Sequence, residues 1–511
     1  MLFRSANVTA ANASITAGEI GNGNAVGKMT ITAGNINTTG DIKNSGTELN
    51  IAAANGDIIS GGRITSDNGA LTINAKNLTV NGGSGNDASL ALTGGTFTGV
   101  VSGATTFANG ISFTGANNFS LETGTIDFGV AQELQWGDGK AKFKLETTDV
   151  TNGNIALASI NNMSEMLLNS ARNITANSVI NTGTLGVGAS GDMTVGAIMT
   201  SGAAGKTDIN VGGNLSASSV NNVGKTTLQG TNITISGGVD NAGTLLTIAG
   251  GLNSGNTVSL GNVTNTSGQM NVSGYDITTG ALTTNAGGMV FNATNNMTIG
   301  GAVLVNGGDM DMSLSSLDGV IRANGTVVVG QNGALNIGGT TQKFQASDTI
   351  TIAGDVNAAS GDAEDGDLKV DVTTGALTIQ SDENIIIGGN VNATDTAVSR
   401  TIRFDATQID VGGDVLASGQ GVLQFGSANT TNAGGQKFNV SGNLSATDGG
   451  RGDISAGTTV VDGTLSNNAT GTLVLRGASV TADKIDLVGG DRKSTRLNSS
   501  HSDRSRMPSS A

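Results

Sequence analysis

The sequence predicts an all-β protein, a parallel β-helix (β-solenoid) with about 20–22 residues per coil. Three observations predict it: short apolar stretches recur near that spacing, their local alternation has the strand period, and Gly or Asn punctuates the chain between them. The recurrence comes first. Ile31, Ile51 and Ile73 lie 20 and 22 residues apart, Ile36, Ile58 and Leu78 lie 22 and 20 apart, and Ile42 and Ile64 lie 22 apart. Further on, Met270, Met289 and Met310 are spaced by 19 and 21, Ile277, Met297 and Leu317 by 20 and 20, and Leu282 and Val303 by 21. Glycine at 81 of 511 positions and aromatics at 3% would suit a disordered low-complexity polymer, but such a polymer has no reason to keep several apolar tracks in step.

Within a coil the pattern is apolar, any residue, apolar, then a Gly, Asn or Asp corner, then apolar again. Examples are Ile209-x-Val211-Gly-Gly-Asn214-Leu215, Ile385-x-Ile387-Gly-Gly-Asn390-Val391, Ile409-x-Val411-Gly-Gly-Asp414-Val415 and Phe438-x-Val440-Ser-Gly-Asn443-Leu444. Corner residues of these types tolerate positive φ, which predicts sharp turns every few residues. Proline would remove a donor from strands bonded on both edges, and the one proline, Pro508, lies beyond the last repeat. A single coil cannot bury its apolar side alone, so stability is a sum over neighbouring coils. At about 21 residues per coil, Ala6 to Gly490 predicts on the order of 23 coils and a rod of about 110 Å, with right-handed winding as the expected hand. The spacing widens to 24 and 29 between Ile385, Ile409 and Phe438, which predicts loop insertions there. Phe107, Phe113, Phe119, Phe128, Trp136 and Phe143 make Phe107 to Val150 the most aromatic stretch, read as rings stacked inside the coils rather than an exposed carbohydrate platform.

Both ends differ from the repeats. Asp491 to Ala511 has no apolar periodicity and holds the sole His (His501) and sole Pro. Asp491 to His501 and Ser505 to Ala511 resemble the translation of a common short-read sequencing adapter, and Met1 to Ser5 that of its reverse complement. The expected organisation is therefore adapter-derived residues 1–5, a continuous solenoid over 6–490, and an adapter-derived tail over 491–511.

Setting aside Arg4, the five tail cations, Asp491 and Asp503 from 25 basic and 40 acidic residues leaves a net charge of −19. Such a surface disfavours nucleic-acid binding driven by counterion release. Without cysteine there is no disulfide scaffold, thiol chemistry or cysteine-held metal, and without histidine in the repeats the usual general base is missing. No apolar stretch has the length of a transmembrane helix. The expectation is a chain that is not an enzyme and has no resident cofactor.

A few constellations are candidates for chemistry. Asp362, Glu364, Asp365 and Asp367 in GDAEDGD offer hard oxygen ligands for Ca²⁺, beside the plainer reading of a solvated insertion. GGSGNDASL at 82–90 resembles a calcium-binding nonapeptide, with Gly82, Gly83, Gly85 and Asp87 in place but Ser89 at its apolar position; such sites need tandem copies. Gly-Lys-Thr at 205–207 and 224–226 lacks the earlier glycine of a phosphate loop. Arg451-Gly452-Asp453 is the tripeptide that integrins recognise; it is expected in a turn, where it would be a receptor contact, against the reading of coincidence in a Gly- and Asp-rich chain. The Thr30/Thr32 and Thr349/Thr351 pairs have the look of ice-binding ladders but do not recur coil after coil.

The segments ITAGNINTTGDI, LTINAKNLTVNGG, INVGGNLSAS and IIIGGNVNAT resemble the repeats of filamentous-haemagglutinin-like bacterial exoproteins and, more loosely, autotransporter passenger domains. The resemblance covers nearly all of Ala6 to Gly490. It implies a structural, adhesive rod segment of a large secreted or cell-surface protein acting in adhesion or biofilm formation. Its implied partners are host-cell, matrix or other cell-surface ligands and an outer-membrane secretion β-barrel, with no nucleic acid. Two alternatives share the architecture. One is a β-helix polysaccharide lyase or hydrolase, for which Asp365, Asp367, Asp371, Arg400 and Arg403 are the thin candidates; the other is a phage tail-spike-like rod, which would be a trimer.

Overall fold

The computed structural model describes residues 5–488 apart from short segments at 23–26, 83–86, 116–117, 138–141, 317–318, 340–342, 347–349, 353–355, 359–367, 373–375, 395–400 and 427–435. Among the described residues there is no helix, and so none that could cross a membrane. The strands stack in parallel as a β-solenoid of about 19 turns, with about 22 residues per turn. The turns are fewer than the spacing predicts because some are long: Leu335 pairs with Leu368, Ile385 with Ile409, and Ile409 with Phe438. The chain forms two compact units, Met1–Gly251 with Asn256–Leu260, and Leu252–Gly255 with Gly261–Ala511.

In the first unit the predicted tracks are columns of paired residues. Ile31 faces Ile51, which faces Ile73; Ile36 faces Ile58, which faces Leu78; and Ile42 faces Ile64. All of them are buried. Alternation along each strand drives this, as in Lys28–Thr38, where Ile31, Ala33 and Ile36 point inward while Thr30 and Thr32 point out. The early coils carry a separate five-stranded sheet of three-residue strands: Ile20–Asn22, Ile42–Asn44, Ile64–Ser66, Leu90–Leu92 and Ile111–Phe113. In the second unit Met270 pairs with Met289 and Met289 with Met310, as spaced, and Ile277 with Met297. One expectation fails there. Met297 pairs with Ile321, 24 residues on and not the 20 expected; Leu317 itself lies outside the described residues.

Glycine has two separate reasons at the corners. Gly268, Gly287 and Gly308 stack with φ of 63°, 75° and 73°, the left-handed region that favours glycine. The Gly-Gly-Asn corners work differently. Gly213 lacks positive φ, but a Cβ there would lie 2.4 Å from Asp192 Oδ1, so glycine is needed for close stacking. That aspartate belongs to a ladder: Asn154 Oδ1 accepts the N–H of Asn173 (3.2 Å), Asn173 Oδ1 that of Asp192 (2.8 Å), and Asp192 Oδ1 that of Asn214 (2.7 Å). A second ladder in the other unit links Asn390, Asp414, Asn443 and Thr464 in the same sense, with bonds of 2.7–2.9 Å.

The interior also holds a polar column. Trp136, Asn162, Asn181, Thr200, Asn222 and Asn241 occupy one register position on successive coils. Asn162 Nδ2 donates to Asn181 Oδ1 (2.8 Å), Asn181 Nδ2 to Thr207 Oγ1 (2.9 Å), and Asn222 Nδ2 to Asn241 Oδ1 (2.7 Å). Thr200 shares hydrogen bonds of 2.6 Å with Thr207 and Thr226. The amides of Asn162, Asn181 and Asn222 also donate to backbone carbonyls, as Asn181 does to Gly183 (3.0 Å) and Lys206 (2.7 Å). The asparagine and threonine members of the column are buried and hydrogen-bonded, which is the condition for tolerating them.

Candidate functional site

The acidic loop with Asp362, Glu364, Asp365 and Asp367 lies outside the described residues, as does Arg400. Asp371 falls in the strand Leu368–Val372 and Arg403 in Thr401–Asp405, where Arg403 is in register with Gln424. Among the described residues no group of three or more His, Cys, Asp or Glu side chains is placed to hold a metal ion. In the nonapeptide-like segment Gly83 and Gly85 lie outside the description. Asp87 faces the Arg63 guanidinium at 3.7 Å, and the Ser89 hydroxyl, fully buried, donates to Gly82 O (2.8 Å) and accepts the Asn109 N–H (2.9 Å). The serine at the family's apolar position thus closes a corner. Lys206 and Lys225 pair at the starts of adjoining strands, with Thr207 and Thr226 turned into the interior column.

Arg451-Gly452-Asp453 is in a strand, Arg451–Ser455, and not in the turn that its glycines suggest. The turn falls just before it, at Asp448 (φ 52°) and Gly449 (φ 95°). Gly452 and Ile454 point inward, and this period-two burial draws the tripeptide into the sheet. A Cβ on Gly452 would lie 2.7 Å from Leu473 Cδ2. The Asp453 side chain is only 15% exposed and is held by Arg451 (3.1 Å) and by Arg476.

The aromatic stretch forms an internal block. Phe97 stacks on Phe119 (ring centroids 5.1 Å apart) and Phe119 on Phe143 (4.7 Å), while Phe113 meets Phe119, Trp136 and Phe143 edge-on at 5.1, 5.4 and 5.6 Å. Trp136 is fully buried, so it is no part of an exposed sugar-stacking platform.

On the same coils as this block the regular winding breaks. The strands Thr96–Phe107 and Asn118–Asp127 bend at Ser102–Ala104 and Gly124–Thr125, but after the next strand, Lys142–Thr147, the chain leaves the stack as a loop through Asp149 and Asn152. The loop is tied down. Thr148 N–H donates to Thr123 O (2.8 Å), Asp149 N–H to Gly124 O (3.0 Å), and Gly153 N–H to Asp149 O (2.7 Å). Thr147 and Ser170 hydroxyls donate to Gly153 O (2.5 and 2.6 Å), and the Arg172 guanidinium donates to Thr151 O. The Asp149 carboxylate accepts the N–H groups of Thr151 (2.8 Å) and Asn152 (3.1 Å), and these two bonds hold it below the ordinary aspartate range.

Between loop and bends lies an open groove of about 590 Å³, lined by Ser102, Gly103, Ala104, Gly124, Thr125, Thr148, Asp149 and Asn152. Its floor is shallow because it is made of small residues; a Cβ on Gly124 would lie 2.6 Å from Gly103 O. Val150 at the loop tip is 78% exposed. Sequence reasoning missed this site. The signal was the run Asp149-Val-Thr-Asn-Gly153, whose Asp and Asn-Gly are turn-forming residues set where a strand would continue.

Outside the groove the first unit presents two rows of outward-facing residues in register. Asn7, Thr30, Asn50, Thr72, Thr98 and Ser120 lie in one outward register, and Thr9, Thr32, Ala52, Asn74, Val100 and Glu122 in a second beside it. No protein-family model, curated protein or solved structure matches this chain.

Proposed function

We propose that the chain is a structural, adhesive segment of a large bacterial exoprotein, secreted or held at the cell surface and exported through an outer-membrane β-barrel. The observation that carries this reading is the outward row Asn7, Thr30, Asn50, Thr72, Thr98 and Ser120: hydroxyl and amide side chains repeated at the strand spacing, on a scaffold whose inward apolar residues are buried by coil stacking. A surface of this kind distributes weak polar contacts over length, which suits attachment to cells, matrix or neighbouring cells. The test is binding of the purified chain to cell and matrix preparations, run beside an assay for depolymerisation of polygalacturonate and alginate. Saturable binding without depolymerisation is expected. Depolymerisation without binding would overturn the proposal in favour of the lyase or hydrolase reading, and an obligate trimer by light scattering would favour a tail-spike-like rod.

A further inference from the structure

The Asp149 groove has a wall, formed by the loop after Lys142–Thr147. In the coils just below, the chain bends within a continuous strand, at Ser102–Ala104 and at Gly124–Thr125; the Asp149 loop instead leaves the strand, and five backbone and side-chain bonds to Thr123, Gly124, Thr147, Ser170 and Arg172 fix it in place. A fixed projection on a rigid scaffold is where binding residues are concentrated. The chemistry of the lining is narrow. Ser102, Thr125 and Thr148 supply hydroxyls that donate and accept, Asn152 an amide that does both, and Asp149 the single charge. Two backbone N–H groups orient the Asp149 carboxylate through Oδ1, and a carboxylate has about four acceptor positions, so capacity remains for incoming donors. Val150, next to Asp149 on the same loop, adds one exposed apolar surface.

We propose that this groove binds one or two residues of a neutral saccharide, with Asp149 accepting a pair of neighbouring sugar hydroxyls and Val150 covering the C–H face of a ring. The ligand is neutral because an anionic sugar would meet Asp149 as a like charge and no cationic side chain lines the groove. It is a saccharide rather than an extended peptide because the strands beneath are paired on both sides, Asn118–Asp127 with Thr96–Phe107 and with Lys142–Thr147, leaving no open edge for a peptide to join. About 590 Å³ of open volume is within the usual range for a small-ligand site. The proposal rests on the adhesive reading and gives it a ligand class.

The test uses the full chain and three probes, lactose, maltotriose and cellotriose, titrated by calorimetry and by saturation-transfer NMR. At least one probe is expected to bind in the micromolar-to-millimolar range. Asp149→Ala should weaken it at least tenfold while Glu165→Ala, on the following coil, leaves it unchanged, and Asp149→Asn should fall between, since the amide oxygen still accepts the Thr151 and Asn152 N–H groups. Because Asp149→Ala removes the loop's own turn bonds, Thr125→Val serves as a second variant that leaves the loop intact and should weaken binding severalfold. Failure of all three probes at millimolar concentration, or binding indifferent to both substitutions, would overturn the proposal. Cell attachment separates the two readings: attachment that survives Asp149→Ala leaves the adhesive role standing without this groove, and sugar binding without attachment does the reverse.

Discussion

Two neighbouring stretches of the first unit fill the same kind of interior with opposite chemistry. From Phe97 to Phe143 the inside is a block of rings; from Asn162 to Asn241 one of its columns is amide and hydroxyl, and Trp136 paired with Asn162 marks the changeover. Rings stack over a range of offsets and angles, here 13° and 16° between planes in the Phe97–Phe119–Phe143 stack but 71° to 87° around Phe113. Amides do not slide in that way. Asn181 meets the carbonyls of Gly183 and Lys206 and the side chains of Asn162 and Thr207 in one register only. Apolar filling therefore supplies most of the free energy, and the amide column supplies uniqueness of alignment between coils.

The largest effect should come from the ring block. Phe119→Ala removes the middle of the stack and is expected to cost about 3–5 kcal/mol, read from denaturant unfolding followed by the fluorescence of Trp136, the sole tryptophan. A loss below about 1 kcal/mol would mean that Phe97 and Phe143 close the gap, and that the block is looser than its geometry indicates.

Asn181→Leu should cost less, about 2–3 kcal/mol, through the buried partners it leaves unsatisfied. Its signature should be different as well: broadened or doubled amide resonances around Gly183 and Lys206, from coils that no longer share one alignment. Asn181→Thr should recover part of the loss, because threonine already occupies the equivalent position at Thr200. Single, sharp resonances in Asn181→Leu would remove the distinction drawn between the two columns.

The smallest effect concerns acid. Asp149 has a lowered pKa in the folded protein, so its contribution to holding the loop is complete above the ordinary aspartate value and is lost only as pH falls through the depressed one. The Thr151 and Asn152 amide shifts should therefore stay constant down to the ordinary aspartate range and move below it, while the resonances of the ring block do not respond. Titration of Asp149 at or above the ordinary value would show that the two N–H bonds do not form in solution.

Much of this architecture was legible in the residues. The Ile31, Ile36 and Met270 columns could be read because isoleucine and methionine at a fixed spacing have no other explanation, and strand alternation told inside from outside. The amide column was not read, although Asn181-x-Gly183, Asn222-x-Gly224 and Asn241-x-Gly243 repeat. Asparagine two residues before glycine looks like turn chemistry, and only coil stacking reveals that it points inward. The Gly-Gly corners were assigned to positive φ, whereas at Gly213 the requirement is space between coils. Arg451-Gly452-Asp453 was placed in a turn because its neighbours are glycines, when the inward Gly452 and Ile454 carry the strand signal. Spacing alone puts Leu317 after Met297, whereas the partner of Met297 is Ile321, because spacing cannot register a coil of different length. The run Asp149-Val-Thr-Asn-Gly153 signals a turn, but not the groove beside it, which depends on residues of three separate coils meeting on one side.

The corner ladders have a direction. Asn173 Oδ1 receives from Asp192 and Asp192 Oδ1 from Asn214; Asn390 likewise receives from Asp414, and Asp414 from Asn443. In each case the acceptor belongs to the earlier coil and the donor to the later one. A finished coil thus holds out its oxygen before the next N–H has been wound into place. For a chain wound from its N-terminus, the corner ladder therefore offers each incoming turn a ready acceptor, whereas the interior amides point the other way, as Asn162 Nδ2 does to Asn181 Oδ1, and are satisfied only once the next turn is in place.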